Sequence, residues 1–304
     1  MTFLAPLAHL GQIRVSGADA DAFLQSQLSN DVSKLVAGRM QLSSYSNAKG
    51  RVLAVLGLRR AEDAILLETR RELVPGLLKR LRMYVLRSKV VLEDASTETA
   101  ALGVWGSKAA TILGDAGLPI PMQDWDSAAA NDFTVVRRPG QQPRYSVHGS
   151  VTAIAKLQDS LATRAQAADT DAWRRRDILA GLPAVDLATA EHFVPQMLDL
   201  DRIGAISFSK GCYPGQEIVA RMHYLGNLKR RLFLAHAGAE AAPATAVYAE
   251  GDAQAVGEVV ESAPDSEHGN VLLLVLQMSQ AGSNLRLGGP QGPALAAVKG
   301  FVAS

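Results

Sequence analysis

Cysteine is the scarcest residue of this 304-residue chain, with Cys212 as its one thiol. A single cysteine excludes an internal disulfide, so nothing in the composition argues for secretion. Long apolar runs are missing too, since the longest, VLLLVL at 271–276, is far too short to span a bilayer. The start of the chain, MTFLAPLAHL, lacks the basic residues and the cleavage site of a signal peptide. We therefore expect the protein in a reducing, cytoplasmic compartment.

Metal-ligand patterns and nucleotide motifs are also missing. Six histidines show no close pairing that would indicate a metal site, namely His9, His148, His192, His223, His236 and His268. One thiol cannot hold an iron–sulfur cluster by itself, and no phosphate-binding loop of the GxxxxGK type occurs. A nucleophilic pair of Cys212 with His192 or His223 stays open, although no hydrolase motif surrounds these residues. The sequence thus predicts no resident metal and no self-sufficient hydrolase.

Positive charge is unevenly spread, although the net charge is only +1. Lys and Arg dominate residues 70–89, where Glu72 is the single acid, and they recur at 174–176 and 229–231. Such clusters can bind a phosphate, a polycarboxylate or RNA. For any one cluster, a solvated helix face is the default interpretation.

Hydrophobic periodicity predicts three modules. Residues 9–97 mix short strands with two helices, and residues 98–228 repeat this layout less cleanly, with a connecting loop at 119–132. From 229 to 304 only short strands remain, separated by Gly, Pro, Asp and Ser. The pattern predicts an α+β protein with two ferredoxin-like modules and a C-terminal antiparallel β-barrel.

The one cysteine lies in a glycine-rich context, KGCYPGQEIVAR, which runs from Lys210 to Arg221. Gly211 and Gly215 permit a tight turn and a close approach to the backbone. Apolar residues at helical spacing follow, so a helix is predicted to begin at Gln216. Cys212 would then lie just before a helix amino terminus.

Such surroundings favour a thiolate, because free N–H groups of the helix and the neighbouring Lys210 both stabilise negative charge. We therefore predict that Cys212 is a reactive cysteine. The alternative is a small buried side chain in a turn, with Gln216 and Glu217 acting only as helix caps.

The same stretch resembles the signature K-G-C-Y-x-G-Q-E of the folate-binding YgfZ family. Other similar stretches are GADADAFLQSQLSNDVSKL with its Ser29-Asn30-Asp31 step, NAKGRVLAV at 47–55, DILAGLPAVD at 177–186 and the run 193–232. These matches span most of residues 10–232. The resemblance implies tetrahydrofolate binding and a role in assembly or repair of iron–sulfur proteins and, through them, in tRNA modification.

The wider superfamily includes the aminomethyltransferase of the glycine cleavage system, which binds tetrahydrofolate in a ring of three domains. That layout agrees with two α+β modules and a barrel. The transferase's Gly-Glu-Asp-Gly-aromatic-Glu segment is absent, and QPRYSVHGS at 142–150 stands in its place, which speaks against glycine-cleavage chemistry. Relatives often carry a glutamate where this chain has Leu179. That carboxylate can accept hydrogen bonds from a pterin, and Asp177 or Glu191 are the available substitutes.

The resemblance also implies roles for particular residues. Cys212, supported by Lys210, would touch the cluster pathway or a thiol partner. The remaining loop residues would bind folate or hold the loop, namely Gly211, Tyr213, Gly215, Gln216, Glu217 and Arg221. Asn30, Arg51 and Tyr84 are expected in the wall of the folate cavity, although each also has an ordinary structural role available.

The expected partners are folate and the iron–sulfur assembly machinery or its client proteins, with neither DNA nor a membrane among them. Two other functions stay open. One is a folate-dependent one-carbon transferase or demethylase of unknown substrate. The other is RNA binding through residues 70–89, which predicts an affinity that falls steeply with added salt.

Overall fold

The computed structural model describes residues 1–226 and 228–301. Contacts divide the chain into two compact units, and both are discontinuous in sequence. The first consists of residues 1–25, 31–42 and 56–173, and the second of residues 26–30, 43–55 and 174–304. The finer division predicted from the sequence, with boundaries after residues 97 and 228, stays a prediction. Asn227 and residues 302–304, which that division includes, lie outside the described residues.

Strands make up most of the regular structure. They are β1 Thr2–Pro6, β2 Leu10–Ser16, β3 Gln41–Ser46, β4 Val52–Arg60, β5 Ala64–Arg70, β6 Val91–Asp94, β7 Thr99–Gly106, β8 Ser127–Ala130, β9 Phe133–Arg137, β10 Arg144–Ser150, β11 Gln166–Ala167, β12 Arg230–Ala237, β13 Ala246–Ala249, β14 Ala255–Asp265, β15 Gly269–Gln277, β16 Leu285–Leu287 and β17 Leu295–Gly300. The α-helices are α1 Ala20–Gln27, α2 Val74–Arg82, α3 Ala109–Asp115, α4 Val151–Leu161, α5 Thr170–Leu179 and α6 Gln216–Tyr224.

The first unit contains a six-stranded sheet of order β11-β1-β7-β10-β9-β8. Alternation along β7 assigns its side chains to two faces. Leu102 and Val104 join the core formed with α3 and α4, whereas Trp105 packs on the other face against Trp173. Gly103 lies between them, and a Cβ there would come within 2.5 Å of the Trp173 ring. A glycine is therefore required for the tryptophan to lie against the strand.

Strand β8 corrects the prediction of a loop over 119–132. Its residues, Ser-Ala-Ala-Ala, carry no strand propensity, yet all four pair antiparallel with β9, from Ser127 with Val136 to Ala130 with Phe133. This strand lies at the edge of the sheet and forms through backbone hydrogen bonds to β9. Local composition does not indicate such pairing, so the segment resembled a loop in the sequence.

A five-stranded sheet of order β3-β4-β5-β2-β6 carries helix α2. The contact division assigns the ends of β3 and β4 at 43–46 and 52–55 to the second unit. In α2 the buried residues Val74, Leu77, Leu78 and Leu81 recur at helical spacing, so one face of the helix packs and the other is exposed.

The C-terminal part of the second unit is a curled antiparallel sheet of order β16-β13-β14-β15-β12-β17. Leu272, Leu274 and Leu276 of β15 line its core, and the intervening Leu273 and Val275 are buried as well. The run VLLLVL is thus a strand buried on both faces, which explains its continuous hydrophobicity. Mixed α and β structure with a curled antiparallel C-terminal sheet confirms the predicted fold class.

Among residues 1–226 and 228–301, no helix has the length and apolar character needed to cross a membrane.

Candidate functional site

Cys212 lies on an irregular segment that leads into α6, and its side chain is exposed. Helix α6 begins at Gln216, which confirms the helix start predicted from the sequence. Its N-cap residue is Gly215, and within the described residues no side chain caps this end by a hydrogen bond. The thiol therefore faces solvent ahead of a helix end whose N–H groups are not bound by a capping side chain.

Lys210 holds the start of this loop from inside the protein. It is only 8% exposed, and its Nζ donates hydrogen bonds to the carbonyl oxygens of Leu28, at 2.6 Å, and Asn30, at 3.0 Å. The same nitrogen lies 5.2 Å from the centre of the Tyr213 ring, within the range of a cation–π contact. Because a buried ammonium requires such acceptors, Lys210 is a structural anchor of the loop as well as the sequence neighbour of the thiol.

Tyr213 is the second buried side chain of the loop. Burial raises the pKa of its phenol to about 12, so the ring is neutral under physiological conditions. Its carbonyl oxygen accepts a hydrogen bond of 3.1 Å from the N–H of Gln216, the first residue of α6. The Gln216 side chain reaches back to the carbonyl of Lys210 at a long 3.5 Å. Tyr213 and Gln216 thus close the turn around the exposed Cys212.

Gly215 is in contact with the turn 47–50 between β3 and β4. Its φ of +81° belongs to the left-handed region. A Cβ there would lie 2.5 Å from the backbone carbonyl oxygen of Asn47 and 2.6 Å from the Cα of Gly50. Asn47 fixes this turn, because its Oδ1 accepts hydrogen bonds from the N–H groups of Lys49 and Arg51. A side chain at 215 would therefore meet backbone that cannot move away easily. Gly211 differs, since a Cβ there would meet nothing within 4 Å.

The segment 28–30, which accepts the Lys210 ammonium, is itself bound to the beginning of the loop. Ser29 Oγ donates to the carbonyl of Ala205 at 2.9 Å, and Asn30 Nδ2 donates to the carbonyl of Gly204 at 2.8 Å. Asn30 is therefore buried against the segment that leads to Cys212. Its expected place in a folate cavity stays a prediction.

Arg51 and Tyr84, the other two predicted wall residues, belong to different units. Arg51 directly follows the turn that contacts Gly215, and its Nη1 donates to the carbonyl of His192 at 2.5 Å. Tyr84 follows α2 in the first unit and is 44% exposed, so it is not a core residue. The structure thus brings Arg51, like Asn30, onto segments that support the Cys212 loop.

The two histidines considered as partners of the thiol have other contacts. His192 Nδ1 lies 2.5 Å from Glu258 Oε1, and the His223 ring stacks on Phe208 at 3.7 Å between centroids. In the described part of the chain, Cys212 makes no hydrogen bond to either histidine. A preformed cysteine–histidine pair is therefore not present in this structure.

An aromatic group next to the loop was missed by the sequence reasoning. Phe208, His223 and Tyr224 contact one another, and Tyr224 is largely exposed. The predicted site residues Glu217 and Arg221 are exposed on the same helix. The sequence did contain a signal for this group, because Phe208 precedes the stretch from Lys210 to Arg221 and Tyr224 follows it. Glu217, Arg221, His223 and Tyr224 thus give α6 an exposed surface of mixed aromatic and charged character.

Arginines of two of the three basic clusters pair with carboxylates within the second unit. Arg174 pairs with buried Glu261 at 3.1 Å. Arg231 holds both oxygens of Asp201, at 2.6 and 2.9 Å, and also contacts Asp199 at 3.0 Å. Burial raises the pKa of Asp199, although Arg231 and Arg202 act in the opposite direction. These arginines therefore serve internal carboxylates, and an external anion would have to compete with them.

Leu179 is the last residue of α5, and its side chain is exposed. An aliphatic group at this position offers no acceptor to a pterin. Of the substitutes, Glu191 adopts φ +70° and donates its N–H to the Val52 carbonyl at 2.8 Å. Asp177 has one side-chain oxygen, Oδ1, that is buried. Asp177, with one oxygen buried, is thus not a fully exposed acceptor at this end of α5.

Comparisons with known proteins agree with one another. Residues 3–138 match the family model described as the GCVT N-terminal domain. The chain is 32% identical over 232 residues to the tRNA-modifying protein YgfZ of Colwellia psychrerythraea, covering 76% of this chain and 71% of that protein. The protein of the same name from Yersinia pestis is also 32% identical, over 76% of this chain and 70% of its own.

A solved structure extends the likeness to nearly the whole chain. The glycine cleavage system aminomethyltransferase T from Bartonella henselae aligns with a TM-score of 0.76 over 97% of this chain and 84% of its own. The two sequences are only 17% identical, so this likeness shows the fold alone.

Proposed function

This chain belongs to the YgfZ family, and on that premise we propose that it binds a folate and acts in iron–sulfur cluster assembly or repair, which supports tRNA modification. The observation that carries the proposal is an exposed thiol on a loop anchored by buried side chains. Lys210 and Tyr213 hold the loop inside the protein, whereas Cys212 faces solvent. The relatives from Colwellia psychrerythraea and Yersinia pestis are named tRNA-modifying proteins.

The chemistry available at Cys212 requires a partner. The chain has no second cysteine, so a disulfide or a shared iron–sulfur cluster has to draw its other sulfur ligands from another molecule. The exposed position of the thiol permits such an approach, and the anchored loop limits the conformational entropy lost on contact. The aromatic and charged surface of α6 lies next to the thiol in sequence and provides contact area for a protein partner.

A complementation experiment tests the role of the thiol. The chromosomal gene is deleted and replaced by wild type, Cys212→Ser or Ser209→Ala, and tRNA nucleosides made by iron–sulfur enzymes are quantified by mass spectrometry. We expect Cys212→Ser to fold normally and to lose most of the modified nucleosides. Ser209→Ala alters an exposed neighbour and should behave as wild type. Full modification in cells carrying Cys212→Ser would contradict the proposed role.

Calorimetric titration with tetrahydrofolate tests the folate part of the proposal. Wild type is compared with Leu179→Glu, which restores the carboxylate expected from the resemblance, and with Leu187→Glu, which adds the same charge at another exposed leucine. We expect saturable binding by wild type, tighter binding by Leu179→Glu and no change for Leu187→Glu. If only Leu179→Glu binds, this chain has lost its pterin contact and its function depends on the Cys212 loop. If no variant binds, the folate proposal is wrong.

RNA binding is a second candidate, favoured by the exposed end of α2. Lys79, Arg87 and Lys89 are exposed there, close in sequence to the exposed ring of Tyr84. Basic groups combined with an aromatic ring suit a nucleic-acid strand. Fluorescence anisotropy with tRNA should show an affinity that decreases with salt and is reduced in Lys79→Glu. Lys156→Glu on α4 is the matched charge reversal, and an equal effect of both changes would exclude a specific surface.

A further inference from the structure

His236, Asp265 and His268 come together in the second unit although they are dispersed in the sequence. His236 lies near the end of β12, Asp265 ends β14, and His268 lies in the turn before β15. Since β12 and β14 both pair with β15, the antiparallel register places the end of β12 beside this hairpin turn. The centroids of the two imidazole rings are 4.6 Å apart. The prediction of no resident metal relied on the spacing of histidines along the chain. In the folded chain two histidines that are 32 residues apart in sequence lie next to each other, so that spacing is no longer an argument.

The distances within this group approach those of a metal site. Both histidine Nδ1 atoms lie 3.7 Å from Asp265 Oδ2, and the three ligand atoms are all within 4.8 Å of one another. A tetrahedral ion with ligand bonds of about 2.0–2.1 Å places its ligand atoms about 3.4 Å apart. Only small side-chain rotations are required to reach that arrangement. His268 can supply most of them, because it lies in a turn and its side chain is 54% exposed.

Two further observations favour a ligand between these side chains. Among the described residues, no group forms a hydrogen bond with the buried Nδ1 of His236, so this nitrogen has an unused lone pair or N–H. Asp265 is held in place by its other oxygen, since Oδ1 accepts from Arg175 Nη1 at 3.2 Å and from the N–H of Glu267 at 3.1 Å. This leaves Oδ2 directed at the two imidazoles. An outer partner that orients a carboxylate in this way is typical of metal ligands.

We propose that His236, Asp265 and His268 form a binding site for a divalent transition metal ion of the zinc class. Two imidazole nitrogens and one carboxylate oxygen suit Zn²⁺, Co²⁺ or Ni²⁺, whereas Mg²⁺ and Ca²⁺ prefer oxygen ligands throughout. Three protein ligands leave a fourth position open. His268 is the most exposed of the three, so that position is accessible to water or to a ligand from another molecule.

The electrostatic surroundings of His236 are compatible with binding. Burial, together with His268 and Lys299, lowers the pKa of His236, while Asp265 acts in the opposite direction. A neutral imidazole is the form that binds a metal. Arg175 and Lys299 are the nearby cations and oppose a bound ion, whereas Asp265 favours it. Protons compete with a metal ion for imidazole nitrogens, so affinity is expected to decrease as the pH falls.

The test is metal titration of tag-free protein in a Cys212→Ser background, which removes the competing thiol. Zn²⁺ uptake is measured by calorimetry, and the visible absorption of bound Co²⁺ reports four-coordinate geometry. The variants are His236→Gln, Asp265→Asn and His268→Gln. The control is His192→Gln, which removes a histidine that contacts a single carboxylate, that of Glu258. We expect one ion per chain for the parent and the control, and at least tenfold weaker binding for each of the three variants.

Two results would overturn the proposal. One is the absence of saturable Zn²⁺ or Co²⁺ uptake by the parent at neutral pH. The other is unchanged uptake in His268→Gln, which lies in an exposed turn and should fold even if a change at the less exposed His236 does not. Thermal unfolding with and without Zn²⁺ adds a second readout, because an ion that binds only the folded state raises the Tm of the parent but not of the variants.

Discussion

Replacing Gly215 by alanine tests how firmly the Cys212 loop is held. Two costs are expected at this position. The φ of +81° lies in the left-handed region, which costs a residue with a Cβ about 1–2 kcal/mol. The new Cβ would also come within 2.5–2.7 Å of Asn47 and Gly50 backbone atoms, and overpacking of this kind costs about 1–3 kcal/mol. The sum for Gly215→Ala is therefore about 2–5 kcal/mol of unfolding free energy.

Two other glycines near the loop separate these costs. Gly204 has a φ of +72° but open space around a Cβ, so Gly204→Ala should cost only the backbone part, about 1–2 kcal/mol. Gly211 has neither a left-handed φ nor a neighbour within 4 Å, so Gly211→Ala should be neutral within about 0.5 kcal/mol. The difference between the Gly215 and Gly204 variants then measures the contact with the turn 47–50 alone.

Urea unfolding followed by far-ultraviolet circular dichroism is the appropriate assay. All three tryptophans, at 105, 125 and 173, belong to the first unit, so their fluorescence would report the wrong part of the chain. The rate of Cys212 alkylation by iodoacetamide adds a local readout, which should change in Gly215→Ala only. Equal stabilities of Gly215→Ala and Gly204→Ala would show that the turn 47–50 moves to accommodate the extra methyl group and does not hold Gly215 rigidly.

Two further predictions concern buried groups. Burial, assisted by Arg59 and Arg138, holds the pKa of His148 well below the usual 6.5, so the folded state keeps this imidazole neutral. Below about pH 6.5 the imidazole of the unfolded chain takes up a proton that the folded chain does not bind. The free energy of unfolding therefore decreases by about 1.4 kcal/mol per pH unit below about pH 6.5, and this group causes no loss above it. Fluorescence-detected urea unfolding of His148→Gln should lack that part of the pH dependence, and an unchanged slope would refute the assignment. Lys210→Met leaves the Leu28 and Asn30 carbonyls without their donor and should cost about 1–3 kcal/mol in urea unfolding, whereas Lys49→Met in the exposed turn should be neutral.

The fold class was accessible from the sequence because it depends on periodicity. Alternating strands, helical apolar spacing and the change of texture after residue 228 are local signals. They led to the prediction of an α+β protein with a C-terminal antiparallel β-barrel, which in the structure is a curled antiparallel sheet. Strand β1 carried too little signal, since Thr2–Pro6 is short and contains a proline. It pairs with β7, from Thr2 with Gly106 to Pro6 with Leu102, and a local stretch of sequence does not contain both partners.

The candidate site was accessible in part, for the same physical reason. The helix start at Gln216 and the turn at Gly215 follow from residues within the motif itself, whereas the contact of Gly215 with Asn47 and Gly50 does not. The partners of Lys210 do not, because its ammonium binds carbonyls 180 and 182 residues away. Likewise, His236 and His268 come together only through the register of β12 and β14 on β15. Sequence proximity suggested that Lys210 acts on Cys212, whereas its long side chain also reaches inward.

The motif from Lys210 to Arg221 therefore contains two kinds of residue, and mutations in it have to be interpreted accordingly. Three of them hold the loop in place: Lys210 binds buried carbonyl oxygens, Tyr213 buries its ring, and Gly215 packs against the turn 47–50. Their substitution therefore changes where the thiol lies. Cys212, Glu217 and Arg221 are exposed, and their substitution leaves those connections intact. Loss of function in Lys210→Met alone would thus be compatible with a purely structural role. Loss in Cys212→Ser with unchanged stability would instead assign the function to the sulfur, because serine keeps the size and removes only the chemistry of the thiol.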